Sequence, residues 1–417
     1  VTGIVGWLAL AYAALLPVGR SGLPLNAQWG DLLLPLLALA MLRAGGLRRW
    51  WETHDRPLAA YLAVTLLASL LSPDPPAGFA HLAKQLSAAL VLVVFRSLAA
   101  DRPLTRRLQQ AFVASMVVVT LVSAVVVFLR IPDRVPLSIL GEGQVLPLFG
   151  AVRRLRGLFE APEMLGNALL TAFLFALGLR ASSSGRPREG WTGACALLLA
   201  GEFLTYSHSV AGFCAATVLF VTPRISPRAS RALAWAAAGL VVLSVNAASM
   251  IDPRPAPMAT HYDVGAVSLD FFGWKVEGRL MSYAALKLLA STAFAEHPLT
   301  GIGPGRFASE TERAYAEGRL TGRYRGVPPH CDLAGRLAET GIFGALSLLV
   351  LWAGWVRDLR AGLHSASPME RSACAIVAGI LVNSLNADVM NFRFLWLALA
   401  WMQTPAAAAE PDGFTRS

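Results

Sequence analysis

Charged residues are scarce in this chain. Asp, Glu, Lys and Arg together make up 15% of its 417 residues, too few to coat a water-soluble fold of this length. The four cysteines, Cys195, Cys214, Cys331 and Cys374, lack metal-type spacing and three of them sit in apolar runs, so neither a disulfide framework nor a zinc site is expected. The H-E-x-x-H pattern is missing, and the segments read below as external hold no acidic D-x-D pair, which leaves metal-free chemistry without a cofactor as the expectation. Internal repeats, low-complexity tracts and a separate soluble domain are also missing. What is present is apolar: 55% hydrophobic residues and a mean hydropathy of +0.53. The formal charge of +10 suits loops facing anionic lipid rather than nucleic acid.

A bilayer core of about 30 Å takes roughly 20 helical residues, and on that scale the chain reads as an all-α polytopic membrane protein with about twelve spans. They lie near 1–18, 29–45, 57–73, 80–97, 110–130, 164–180, 190–206, 209–223, 232–250, 340–356, 372–388 and 393–409. The first run lacks a basic flank and an A-x-A pattern and is expected to be a retained helix. With the N-terminus inside, every inner loop or its edge carries at least three arginines, among them Arg43, Arg106, Arg186, Arg228 and Arg360. Short outer connections and their edges hold only Arg20, Lys84 and Arg393, so both termini are expected to be cytoplasmic. The layout is a bundle over 1–250, a large outer loop over 251–339, and the last three spans with a short tail over 340–417.

Two outer segments break the charge pattern. Residues 131–163 carry Arg134, Arg153, Arg154 and Arg156, and residues 251–339 carry ten Lys/Arg, including Lys275, Arg279, Arg306, Arg323 and Arg325. Long loops translocate whatever their charge, which is one explanation; the other is that these cations hold an anionic substrate at the outer membrane face. Within the large loop, Val276 to Glu296 reads as a helix that puts Lys275 and Arg279 on one face, stopped by His297-Pro298. Gly301-Ile302-Gly303-Pro304-Gly305 reads as a tight turn, since no strand precedes it and no lysine closes a phosphate loop. Glu310 to Gly318 reads as a second short helix. Its acids, with Glu296, read as solvated charge rather than a glycosidase pair. Glu202, inside the seventh span, is expected to face the protein interior or a cavity.

His330 stands out among the seven histidines. Pro328 and Pro329 disfavour helix just upstream and Asp332 to Thr340 is helix-forming, so His330 belongs at or just before a helix N-terminus. The positive end of a helix disfavours imidazolium and leaves a neutral base; a simple helix-capping role fits the same placement equally well.

In this order and topology, residues 275–350 resemble the O-antigen ligase and polymerase superfamily of bacterial polysaccharide assembly. The likeness rests on Arg279, then Glu296-His297-Pro298-Leu299-Thr300-Gly301-Ile302-Gly303-Pro304-Gly305-Arg306-Phe307, then His330 leading into Leu337-Ala338-Glu339-Thr340-Gly341-Ile342-Phe343-Gly344. The resemblance implies a multi-span glycosyltransferase of GT-C type in the bacterial inner membrane. It would take a glycan from undecaprenyl pyrophosphate at the periplasmic face and pass it to a lipid A-core sugar, or, in a polymerase, to a second lipid-linked glycan. By position it assigns His330 as base and Arg279 and Arg156 to the donor. Where the family often has Ser-Arg after span seven, this chain has Ser207-His208, so His208, Arg323 or Arg325 is expected to replace a pyrophosphate-binding arginine. Cys331 follows the histidine where Asn is common. A transporter of lipid-linked glycans is the competing reading, but its usual marks, repeated halves and midplane sites on broken helices, are not visible.

Overall fold

The computed structural model describes residues 3–19, 28–45, 55–130, 140–146, 150–222, 266–271, 274–279, 283–320, 324–363 and 367–403, with isolated positions between 228 and 239. Most of the expected ninth span and the tail beyond Gln403 lie outside the described residues. The helices are α1 (Gly3–Leu15), α2 (Trp29–Arg43), α3 (Arg56–Leu70), α4 (Pro75–Leu98), α5 (Arg102–Phe128), α6 (Pro162–Ala181), α7 (Gly185–Thr205) and α8 (Ser209–Val221). After them come α9 (Tyr283–Glu296), α10 (Phe307–Ala316), α11 (Asp332–Leu363), α12 (Pro368–Asn383) and α13 (Arg393–Met402). The chain is predominantly helical, as expected, with two antiparallel hairpins added in the outer segments: β1 (Gly141–Leu146) with β2 (Gly150–Leu155), and β3 (Ala266–Phe271) with β4 (Trp274–Arg279).

Several helix starts are written locally. Asp74 caps α4 by accepting from the Ala77 N–H at 3.2 Å, and Asp101 caps α5 from Leu104 at 3.0 Å. In both, as at the Ser367 cap of α12, a proline in the first turn gives up an N–H that has no partner there. Four described helices, α4, α5, α6 and α11, are long and apolar enough to cross a membrane. The apolar helices α1, α3, α8 and α13 are shorter, 10–17 residues, below the roughly 20 that a full span takes. Four long helices are fewer than the twelve spans read from the sequence.

α6 is the hub. It is buried on nearly every side, with Leu165, Ala168, Leu169, Leu170, Leu174 and Phe175 inaccessible, and it packs against α5, α7, α8 and α12. The partner helices α8 and α12 touch backbone to backbone: a Cβ on Gly212 would lie 2.2 Å from the Gly379 carbonyl oxygen. The outward faces are apolar too, with Leu66, Leu67 and Leu70 on α3, Leu121 and Val125 on α5, and Leu346 and Val350 on α11 all exposed. Large apolar patches turned outward are costly in water and neutral in hydrocarbon, so the chain is a predominantly helical, membrane-embedded protein.

A second, smaller core sits at one end of α11. Leu286, Leu289 and Ala293 of α9, Phe307 and Ala314 of α10, and Leu320, Tyr324 and Ala338 pack together. The glycine-rich stretch is the tight turn that its composition indicated, with positive φ at Gly301, Gly303 and Gly305. It docks on a kink in α11 at Gly341 (φ 64°), where a Cβ would lie 2.3 Å from the Leu299 carbonyl oxygen. This docking holds the start of α11 against the bundle.

Candidate functional site

The start of α11, the glycine-rich turn and the adjoining ends of α4, α6 and α13 enclose a cavity of about 490 Å³. His330 lines it. Its backbone is left-handed (φ 51°), a conformation that a Cβ disfavours and that the neighbouring contacts hold in place. Pro329 is buried against Gly335, where a Cβ would come within 2.9 Å of the proline ring. The Gly335 N–H donates to the Cys331 carbonyl at 2.9 Å, so the chain turns into the helix immediately after His330. His330 thus stands two residues before α11, as the prolines and the following helix indicated.

Burial pushes the His330 imidazole below the usual histidine range. Glu163 and Asp388 pull the other way, while His208 and Lys287 add to the lowering. His208, in the turn between α7 and α8, is lowered for the same first reason, with Glu163 opposing and Arg154 and Lys287 assisting. Both rings are therefore neutral near pH 7. Glu163 is held at one side by Arg154, 3.6 Å away.

The floor of the cavity is a chain of polar contacts. Gln85 donates to Asn391 at 3.1 Å, and Asn391 donates to Asp388 at 2.9 Å. Asp388 in turn shares a hydrogen bond with the Asp332 carboxyl. Two carboxyls bond in this way only if one carries the proton. Burial works to raise Asp388, but the bond from Asp332, Arg336 and the two facing histidines, His81 and His330, hold it below the ordinary carboxylate range. Asp332 therefore keeps the proton, and its oxygens also accept the N–H groups of Val389 and Met390, at 3.0 and 3.4 Å. Arg336 is 2% exposed and donates to His81 Nε2 at 2.7 Å, with Glu339 3.8 Å away. A guanidinium only donates, so Nε2 of His81 is the acceptor. Lys84 is half-buried in the lining and pairs with no carboxylate among the described residues.

Of the residues singled out from the sequence, His330 and His208 are brought within electrostatic reach of one another, although His208 does not line the cavity. Arg156 is half-buried beyond β2, its N–H on the Leu140 carbonyl at 3.0 Å, and it too is outside the lining. Arg279 ends β4, paired in register with Ala266, and α9 begins only at Tyr283. That corrects the helix read over Val276 to Glu296: Trp274, Val276 and Gly278 alternate with Lys275, Glu277 and Arg279, a strand period, and Gly278 weakens a helix. Arg323 lies outside the described residues. Arg325 is not brought to the cavity: it is exposed, bonded to Glu312 and stacked 5.6 Å over Tyr315. Glu310, read as solvated, is buried at 8% exposure beneath Arg313 and Arg319. Glu202 does face the interior, accepting from Ser209 at 2.6 Å.

Sequence reasoning missed Asp388, Arg336 and the use of Lys84. A signal existed for one face: Asp332, Arg336 and Glu339 stand at i, i+4 and i+7, a charged stripe on an otherwise apolar helix. Asp388 had only its place as an acid interrupting an apolar run. Among the described residues no three His, Cys, Asp or Glu side chains converge as metal ligands do. No protein-family model matches the sequence, and no curated protein is found similar to it.

Proposed function

We propose that the chain is an inverting, metal-independent membrane glycosyltransferase of the O-antigen ligase kind, with His330 as its base. The observation that carries this reading is one neutral, half-buried imidazole fixed by two prolines at the wall of a 490 Å³ cavity, with carboxylates and cations around it. In the proposed reaction, an acceptor hydroxyl gives its proton to His330 as its oxygen attacks the anomeric carbon. The bond from that carbon to the pyrophosphate oxygen breaks in the same displacement, and the configuration inverts. Neutral histidine suits the first task. Cationic side chains suit the leaving pyrophosphate, for which Arg279 and Arg156 remain the proposed contacts from the family resemblance, with the neutral His208 as a hydrogen-bonding partner. In this reading the shorter apolar helices complete about twelve spans of a GT-C type bundle, since fewer than roughly 20 residues suffice when flanking groups reach outward. The protein sits in the bacterial inner membrane with both termini cytoplasmic.

The proposed donor is an undecaprenyl pyrophosphate-linked glycan and the proposed acceptor a lipid A-core sugar. The test is transfer by the purified protein in EDTA, with a lipid-linked oligosaccharide donor and two acceptors supplied separately. Transfer to lipid A-core supports the ligase reading, and growth on a second donor molecule makes the protein a polymerase. Donor that is bound or moved across vesicles without transfer overturns the enzyme reading.

A further inference from the structure

A second cavity, of about 260 Å³, lies on the other side of the glycine-rich turn. Gly305 and Phe307 line the His330 cavity while Gly303 and Arg306 line the smaller one, so the turn is a wall between the two. The opposite wall is the end of α3, where Leu71 gives way to Ser72; Gly303 and Ser72 meet so closely that a Cβ on the glycine has no room. The outward side of α3 carries Leu66, Leu67, Leu70 and Leu71, all exposed, and this apolar surface stops at the cavity. Leu299 and Phe343, on either side of the docked kink, are exposed as well. An apolar outward surface that ends at polar groups marks the boundary between hydrocarbon and headgroups. The cavity therefore sits at the level of lipid phosphates.

Its charge fits that place. Arg306 is half-buried in the lining; one Nη donates to the Ile302 carbonyl at 2.9 Å, and no carboxylate among the described residues pairs with it. A guanidinium has five N–H donors and a full charge, and one neutral carbonyl satisfies little of either. Glu310 also lines the cavity, but it is held by Arg313 at 2.6 Å and has Arg319 at 3.7 Å, so it does not compensate Arg306. Thr300 and Ser309 add exposed hydroxyls to the lining.

We propose that this cavity binds the phosphate headgroup of a membrane glycerophospholipid, with Arg306 on the phosphate, Thr300 and Ser309 hydrogen-bonding to it, and the acyl chains laid along the exposed leucines of α3. A planar guanidinium fork matches two phosphate oxygens at once. The size agrees: about 260 Å³ is below the roughly 300–1,000 Å³ that encloses a whole drug-sized ligand, and it suits a headgroup whose chains stay outside. The lipid is neither donor nor acceptor in the transferase reading, and the site stands without that reading. Because the turn bounds both cavities, a lipid seated in the smaller one braces the wall of the larger.

The test is titration of the purified full chain in detergent with dioleoylphosphatidylglycerol, with dioleoylglycerol, which lacks the phosphate, and with glycerol phosphate, which lacks the chains. Binding is followed by native mass spectrometry and by the rise in melting temperature. The phospholipid is expected to bind at least about tenfold more tightly than either fragment. Arg306→Gln is expected to weaken it roughly ten- to hundredfold, the loss of charge-assisted hydrogen bonds to the phosphate, while Arg306→Lys retains most of the binding. Since Arg306 also bonds the turn, Ser309→Asp provides a second variant: it adds a negative charge at an exposed lining position without touching the Ile302 carbonyl, and is expected to weaken the phospholipid while leaving the lipid-free melting temperature unchanged. Equal binding of dioleoylglycerol overturns phosphate recognition, and equal binding of glycerol phosphate overturns the lipid as its source. Wild-type affinity in both Arg306→Gln and Ser309→Asp overturns the site itself.

Discussion

The packed interior around α6 and the cavity beside His330 both contain buried polar groups, but they treat them differently. In the interior, Asn383 donates to Asn167 at 2.9 Å and accepts from the Gly212 N–H at 2.9 Å, while Ser372 donates to the Leu174 carbonyl at 2.8 Å. Asparagine and serine groups there close on one another across helices, while Glu202 Oε2, Gln109 Oε1 and Trp401 Nε1 are left without a partner among the described residues. In and beneath the cavity the unsatisfied groups are charged or adjoin charge: Arg336 Nε and Gln85 Oε1 have no partner, and Lys84 has no carboxylate, among the described residues. Neutral cross-helix bonds specify helix packing, whereas unpaired cations beside a cavity are costly unless something else completes them. The contrast separates the part of this molecule that holds shape from the part that meets a ligand.

The largest effect that would test this division is at His330. His330→Ala is expected to lower transfer by about 10²- to 10⁴-fold, the span of general-base contributions, with the melting temperature little changed because the side chain is only half-buried. A variant that melts early and transfers poorly would make His330 a structural cap and move it to the closed region. Next is Gly212, where the reverse is expected. A methyl group there meets the Gly379 carbonyl at 2.2 Å, and backbone cannot swing aside as a side chain does. Gly212→Ala should cost about 1–3 kcal/mol or more through overpacking, read as a lower melting temperature. The transfer rate per folded molecule should stay as it was.

The pH profile is a smaller test of the same contrast. A base works only when neutral, and burial lowers His330 below the ordinary histidine value of 6.5. Transfer should therefore stay flat from neutral pH down through that value and only then fall, about tenfold per pH unit. A break above pH 7 would mean an imidazole stabilised as a cation, and with it a site arranged otherwise than around a neutral base.

These two regions were not equally legible in the sequence. Apolar runs located α3 to α6, with α6 close at both ends but α4 and α5 starting five and eight residues earlier, at polar first turns that hydropathy does not count. Pro328-Pro329 before a helix-forming run placed His330, since proline restricts backbone locally. Glycines at 301, 303 and 305 gave the turn for the same reason. What stayed hidden depends on partners distant in sequence. Asp388 matters through Asp332 and Arg336 through His81, and no local pattern writes either pairing. Arg279 was misread because a charged residue in an alternating segment fits a helix face if only the charges are counted, whereas the pairing of Trp274–Arg279 with Ala266–Phe271 decides it. Helix-scale patterns are carried by composition, and the site is carried by tertiary contact.

The smallest expected effect marks the outer limit of the open region. Arg325 belongs by sequence to the cations that the family resemblance points to the donor, yet its side chain is 59% exposed and its partner Glu312 is 44% exposed. Pairs in that much water are screened and contribute little to stability. Its stacking on Tyr315 is an exposed contact of similar weight. Arg325→Ala is thus expected to change transfer by less than about twofold and to leave pyrophosphate binding intact. A drop comparable to that of His330→Ala would show that α10 and its ion pairs close over the cavity when ligand arrives, and the exposed face would then belong to the site.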